Sequence, residues 1–223
     1  MDHGKTVKPK LDDLMTVLSS LTNAREERDL VASTLKALDD KYALSQKIAR
    51  EPGLEEIIKQ LVGRIYRAYG TFAMLKAKRI LDIASGSNTS KAPSFVFVNT
   101  PFGEQRIPVS STDGYTAQFE PWFCRILLEL GADPIGIDLG NLDGETFEHY
   151  SVNLGQPNAL DFLPDHSFDA VHDSRLFGSP EFTAQFPNQQ DRLKVAAEIW
   201  RQEQRLLKAK GIVIHSDAAN LVR

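Results

Sequence analysis

The chain has a single cysteine, Cys124, in 223 residues. That excludes an intrachain disulfide framework and a zinc cluster built from cysteines. Cys124 lies within an apolar segment and reads as a small buried hydrophobe rather than a nucleophile. Long apolar runs are also missing. None approaches the roughly 18 residues of a membrane-spanning helix, and no signal peptide is visible, so the expectation is a cytoplasmic protein with no membrane partner. Positive charge is not in excess, since 26 Lys and Arg stand against 30 Asp and Glu for a formal net charge of −4. The chain therefore carries no general nucleic-acid signature. The five histidines are scattered without ligand spacing, so no metal is expected. Asp2-His3-Gly4-Lys5-Thr6 has the ending of a phosphate-binding loop but lacks its upstream glycine and its preceding strand.

With 42% hydrophobic and 25% charged residues, the chain can bury one α/β core plus a helical appendage. Residues 1–78 form the appendage, an N-terminal helical extension. Leu11, Leu14, Leu18 and Leu21 recur at helical spacing, as do Leu35, Leu38 and Tyr42. Pro52-Gly53 breaks the pattern, and a further helix is expected over about 54–78, with Ile57, Ile58, Leu61, Ile65 and Tyr69 as its apolar stripe.

Residues 79–223 read differently. Over 79–86 an apolar strand reaches an acid, Asp82, and then the small-residue loop Ala84-Ser85-Gly86. Open parallel sheets place ligands beyond the carboxyl ends of their strands, and small residues let backbone N–H groups approach them. Any buried strand followed by a Ser/Gly turn reads the same way. Over 119–138 come an amphipathic helix, the turn Gly131-Ala132-Asp133-Pro134 and a short strand that ends on Asp138. A carboxylate there can accept both hydroxyls of a ribose. A strand over 167–173, a helix over 198–210 stopped at Gly211, and a strand over 212–215 complete an alternation that predicts a parallel α/β sheet.

Leu81-Asp82-Ile83-Ala84-Ser85-Gly86-Ser87-Asn88 resembles the first motif of the class I S-adenosylmethionine-dependent methyltransferases. Ile137-Asp138-Leu139 resembles their second, and Asn158-Ala159 through Leu163-Pro164 with Ser167-Phe168-Asp169 is similar to the segment that meets the adenine edge. The stretch 203–210 followed by Gly211 looks like the family's helix leading into strand five. The resemblance covers 79–216 and implies a Rossmann-like parallel sheet of about five strands with flanking helices. It also implies S-adenosylmethionine as cofactor, with Asp82, Ala84, Ser85 and Gly86 around its methionine end, Asp138 on the ribose, and Leu139, Asn158 and Ala159 by the adenine.

Three departures from the family pattern stand out. Ala84 and Asn88 replace two of the usual glycines. An insertion, at about 87–118, separates the cofactor loop from the first helix. The sheet is expected to be truncated after strand five, because no residues remain for strands six and seven. Strand five then becomes an edge, which the N-terminal helices, the insertion or a second copy of the chain would cover. Within the insertion, 95–98 and 106–109 have strand character around Thr100-Pro101-Phe102-Gly103, predicting a hairpin that could lie over the crevice as a flap.

Methyl transfer demands alignment and water exclusion, and a general base only where the acceptor must lose a proton. His172 and Asp173 are the catalytic candidates, with Arg175 beside them, and His215 and Asp217 lie beyond the next strand. His172 and Asp173 are adjacent, so on a strand they point to opposite faces. Tyr115, Phe119, Trp122 and Phe123 form an aromatic cluster, from which Tyr115 and Trp122, with Arg175, are the candidates for substrate contact. The expected function is methyl transfer to a small-molecule or other non-nucleic-acid acceptor. Two rivals stand beside it: a methyltransferase-like module that binds the cofactor or a partner without turnover, and an NAD-dependent dehydrogenase. The dehydrogenase lacks support in a loop without the spaced three-glycine fingerprint.

Overall fold

The computed structural model describes residues 11–20, 22, 24–51, 53–88, 95–100, 103–108, 116–173, 176–178, 182 and 185–215. The chain divides into two compact units, Met1–Leu75 and Lys76–Arg223.

The first unit is helical: α1 (Leu11–Ser19), α2 (Arg25–Tyr42), α3 (Leu44–Arg50) and α4 (Gly53–Tyr69), followed by a 3-10 turn over Phe72–Leu75. The stripes seen in the sequence turn inward, and Leu14, Leu18, Leu35, Leu38, Ile58 and Ile65 are all buried. α4 stops well before residue 78. Gly70 adopts φ +72°, a left-handed conformation that ends a helix readily. The Glu27 carboxylate then accepts the Phe72 amide at 2.9 Å, fastening α2 to the turn.

The second unit is a Rossmann-like α/β sheet. Its strands are β1 (Arg79–Ile83), β4 (Asp133–Asp138), β5 (Glu148–Ser151), β6 (Phe168–Asp173) and β7 (Leu207–His215). They lie in the order β5-β4-β1-β6-β7, and every neighbouring pair is parallel. Chain order runs outward from β1 in both directions, which puts the reversal between β1 and β6. Leu81, Ile83, Ile135, Ile137 and Val171 pack on one face with Ile199 and Leu206 of α6 (Gln189–Leu206). The other face meets α5 (Trp122–Glu129), where Phe123 stacks on His172 and Cys124 approaches Asp82. Phe95–Thr100 (β2) and Gly103–Pro108 (β3) form a separate antiparallel pair within the insertion.

Two elements of the second unit differ from the sequence reading. β5, Glu-His-Tyr-Ser, has no apolar alternation and is half exposed, so nothing in its pattern marks it as a strand. The segment 207–210, read as the end of a helix, is the start of β7. Leu, Lys and Ala favour a helix locally, but Leu207 is already paired with Phe168 of β6 and the helix ends before it. The extra chain is absorbed by an irregularity in which a step of two residues along β6, from Phe168 to Ala170, is matched by a step of five along β7, from Leu207 to Ile212. β5 and β7 are the edges of the described sheet.

Candidate functional site

The loop after β1 is held in an unusual conformation and stitched on both sides. Ala84 has φ +58° and Gly86 φ +93°. A Cβ on Gly86 would lie 2.1 Å from the Phe119 carbonyl oxygen, so only glycine fits this approach. Four successive amides are engaged: Ser85 donates to Ile137 O at 2.9 Å, Ser87 to Phe119 O at 2.9 Å and Asn88 to Asn141 O at 3.0 Å. The fourth, Gly86, donates to the Asp138 Oδ2 at 2.9 Å.

Asp138 ends β4 and stands beside that loop. Its second oxygen accepts the Gly140 amide at 2.8 Å. Burial pushes its carboxyl up, while the Gly140, Gly86 and Leu139 amides pull it back. Those amides leave part of the acceptor capacity of a carboxylate, about four sites, open to further donors. Next to it Leu139 is 59% exposed, an apolar side chain without packing. Gly140 is required by space, since a Cβ there would meet Ser87 Oγ at 2.2 Å.

Arg125, only 3% exposed, ties the surroundings together. Its guanidinium donates to Glu145 at 2.6 Å, to the Asn88 side-chain oxygen at 2.9 Å and to Glu120. It also lies 4.7 Å from the Trp122 ring. One buried cation thereby joins the loop after β1, the start of α5 and the loop after β4.

Asp82 and His172 face each other across β1 and β6, both fully buried beneath α5. Asp82 Oδ1 is 2.7 Å from His172 Nδ1, Cys124 Sγ is 3.6 Å from Asp82 Oδ2, and the Phe123 ring stacks on the imidazole at 3.8 Å. Burial raises the Asp82 carboxyl, with His172 opposing the shift. The His172 Nε2 is buried and has no hydrogen-bond partner among the described residues. His172 is thus shut inside the protein, with no exposed surface at which a base would meet an acceptor. Asp173 points to the opposite face and pairs with a different histidine, His215, at 2.8 Å.

Trp122 is 1% exposed, and its indole N–H donates to Ala117 O at 2.6 Å. Its ring is taken up by packing rather than offered to a substrate. Tyr115, Arg175 and Asp217 lie outside the described residues. Ser85 is buried within the loop. Asn158 and Ala159 sit where the chain runs back toward the start of β6, with Arg205 donating to Leu160 O at 2.8 Å and Leu163 O at 2.9 Å. The segment that passes the end of β4 comes earlier, because Val152 donates to Asp138 O at 2.8 Å. Asn153 follows directly on Val152 there. Without a recognisable β5, the sequence held no signal for it. Among the described residues no group of histidine, cysteine and acidic side chains is arranged to hold a metal, and no helix is long and apolar enough to cross a membrane.

No family model matches the chain, and no curated protein does. Among solved structures, the chain is similar to a Burkholderia thailandensis 1,6-didemethyltoxoflavin-N1-methyltransferase with bound 1,6-didemethyltoxoflavin and S-adenosylhomocysteine. The identity is 13%, the alignment covers 95% of this chain and 66% of that one, and the TM-score is 0.30. The chain thus spans just under two thirds of that protein's length. Strand order and register, not this likeness, establish the fold.

Proposed function

We propose that this chain is an S-adenosylmethionine-dependent methyltransferase acting on a small-molecule or other non-nucleic-acid acceptor. The observation that carries the reading is Asp138 at the end of β4, 2.9 Å from the Gly86 amide, with an exposed Leu139 next to it. A carboxylate with spare acceptor capacity fits a ribose diol, and an unpacked apolar side chain beside it fits the face of an adenine ring. When bound, the cofactor supplies an electrophilic methyl group on a cationic sulfur.

The chain's own residues bind, orient and exclude water. Asp82, Ala84, Ser85 and Gly86 shape the loop that closes on the methionine end, and Arg125 keeps that loop in register with the loop carrying Leu139. Asn153 takes the adenine-edge position in place of Asn158 and Ala159, since it follows directly on the residue bonded to Asp138 O. Calorimetric titration of the wild type and of Asp138→Asn with S-adenosylhomocysteine tests the reading. Binding by the wild type that is weakened about tenfold or more in the variant is expected, and equal affinity in a folded variant contradicts the role of Asp138.

One observation favours a second reading, a module that binds without turnover. All four amides from Ser85 to Asn88 are already bonded within the protein. In that reading the loop is closed, and a methyltransferase-like frame serves a partner instead.

A further inference from the structure

At the carboxyl ends of β6 and β7, on the face opposite the buried Asp82–His172 pair, Asp173 and His215 are register partners. Asp173 is 5% exposed, while the His215 side chain is 38% exposed. Asp173 Oδ2 lies 2.8 Å from His215 Nδ1. Two aromatic rings border the histidine. Trp200 of α6 lies edge-on at 6.4 Å, and Phe177 meets Trp200 at 6.0 Å. Behind them, on the same helix, Glu203 is 1% exposed and faces the charge of Asp173.

We infer that His215, oriented by Asp173, is the proton-accepting catalytic residue of an acceptor pocket walled by Trp200 and Phe177, and that the acceptor is an aromatic hydroxyl compound. The inference rests on the methyltransferase reading. A buried carboxylate on Nδ1 fixes the tautomer in which Nδ1–H donates, leaving the Nε2 lone pair free to take a proton from a substrate. Among the described residues His215 has no other hydrogen-bond partner. Adjacent strands are about 4.8 Å apart, so β7 stands about 14 Å from β4 along the same sheet edge, room for a ribose at Asp138 and an acceptor near His215. The flat aromatic walls select a planar ring. In the step, the acceptor oxygen forms a bond to the methyl carbon as the carbon–sulfur bond breaks and its electron pair goes to sulfur. The O–H proton passes to His215 Nε2, and the Asp173 carboxylate stabilises the imidazolium.

The test uses the full chain with S-adenosylhomocysteine and 1-naphthol as the probe, read by calorimetry and by 15N spectra of the histidine rings, with His215→Gln assigning the resonance. In the wild type the neutral His215 ring should carry its proton on Nδ1, and naphthol should shift the Nε2 resonance. Asp173→Asn should redistribute the tautomers while S-adenosylhomocysteine still binds. With S-adenosylmethionine, His215→Gln should slow formation of the naphthyl methyl ether about 100-fold or more. An Nε2–H tautomer in the wild type, or an Nε2 resonance unmoved by naphthol in protein that binds S-adenosylhomocysteine, overturns the inference alone. Failure of S-adenosylhomocysteine to bind overturns the methyltransferase reading and the inference with it.

Discussion

His172 Nδ1 and Asp82 Oδ1 are 2.7 Å apart at the strand reversal, with neither side chain exposed to solvent. A buried pair of this kind adds less than its geometry implies, because both groups leave water to make it, yet losing one member strands the other. Asp82→Ala should destabilise the fold by about 3 kcal/mol. Replacing both, in Asp82→Ala with His172→Phe, should destabilise by less than the sum of the single changes, by about 1 kcal/mol or more. Urea unfolding of the four proteins measures the coupling. Strict additivity would mean that the pair does not act as a unit.

Gly86 is held between Asp138 and Phe119. Gly86→Ala puts a Cβ 2.1 Å from a carbonyl oxygen at φ +93°, so the loop must open or strain. A loss of about 3 kcal/mol or more in unfolding free energy is expected. A fully stable variant would show that the loop is looser than its geometry.

Asp138 is predicted to have two separable roles. Asp138→Ala removes the acceptor for two amides and should lower stability by about 1–3 kcal/mol. It should also weaken S-adenosylhomocysteine binding, whereas Asp138→Asn, which keeps one acceptor oxygen, should retain more stability than affinity. Thermal unfolding and calorimetry on the same samples separate the two effects.

Arg125 joins three loops through Glu120, Glu145 and Asn88. Arg125→Ala would leave two carboxylates facing each other without their cation, and a loss of about 3–5 kcal/mol is expected. A change below 1 kcal/mol would contradict the assigned role.

Glu203 gives a pH dependence of definite sign. Burial, reinforced by the charge of Asp173, raises its carboxyl from 4.5 to about 8. The folded protein therefore holds a proton that the unfolded chain has released across this interval, and each unit corresponds to about 1.4 kcal/mol. The stability that Glu203 contributes is fully present below pH 4.5 and is lost as pH rises toward 8. Glu203→Gln keeps the neutral shape at all pH values. Relative to the wild type, it should gain about 2 kcal/mol or more in denaturant unfolding between pH 5 and pH 9, and a constant difference would contradict the assignment.

The central strands were legible because burial writes them as apolar runs ending on Asp82, Asp138 and Asp173. β5 was not legible, since an edge strand of Glu, His, Tyr and Ser carries no hydrophobic pattern. The helix-to-strand change at Leu207 was hidden for a different reason: Leu, Lys and Ala are good helix formers, and the pairing of Leu207 with Phe168 is a long-range contact that the local pattern does not carry. The site was legible as residue types and illegible as partnerships. His172 and Asp173 are adjacent in sequence but serve opposite faces, and each finds its partner on a neighbouring strand, Asp82 in one case and His215 in the other. Such pairings depend on strand register, which separations of 90 and 42 residues do not reveal.

The most direct measurement is isothermal calorimetry of the purified protein with S-adenosylmethionine, S-adenosylhomocysteine and NAD. Binding of the first two at micromolar affinity, with none for NAD, is the predicted result; silence for both S-adenosyl compounds would contradict the account.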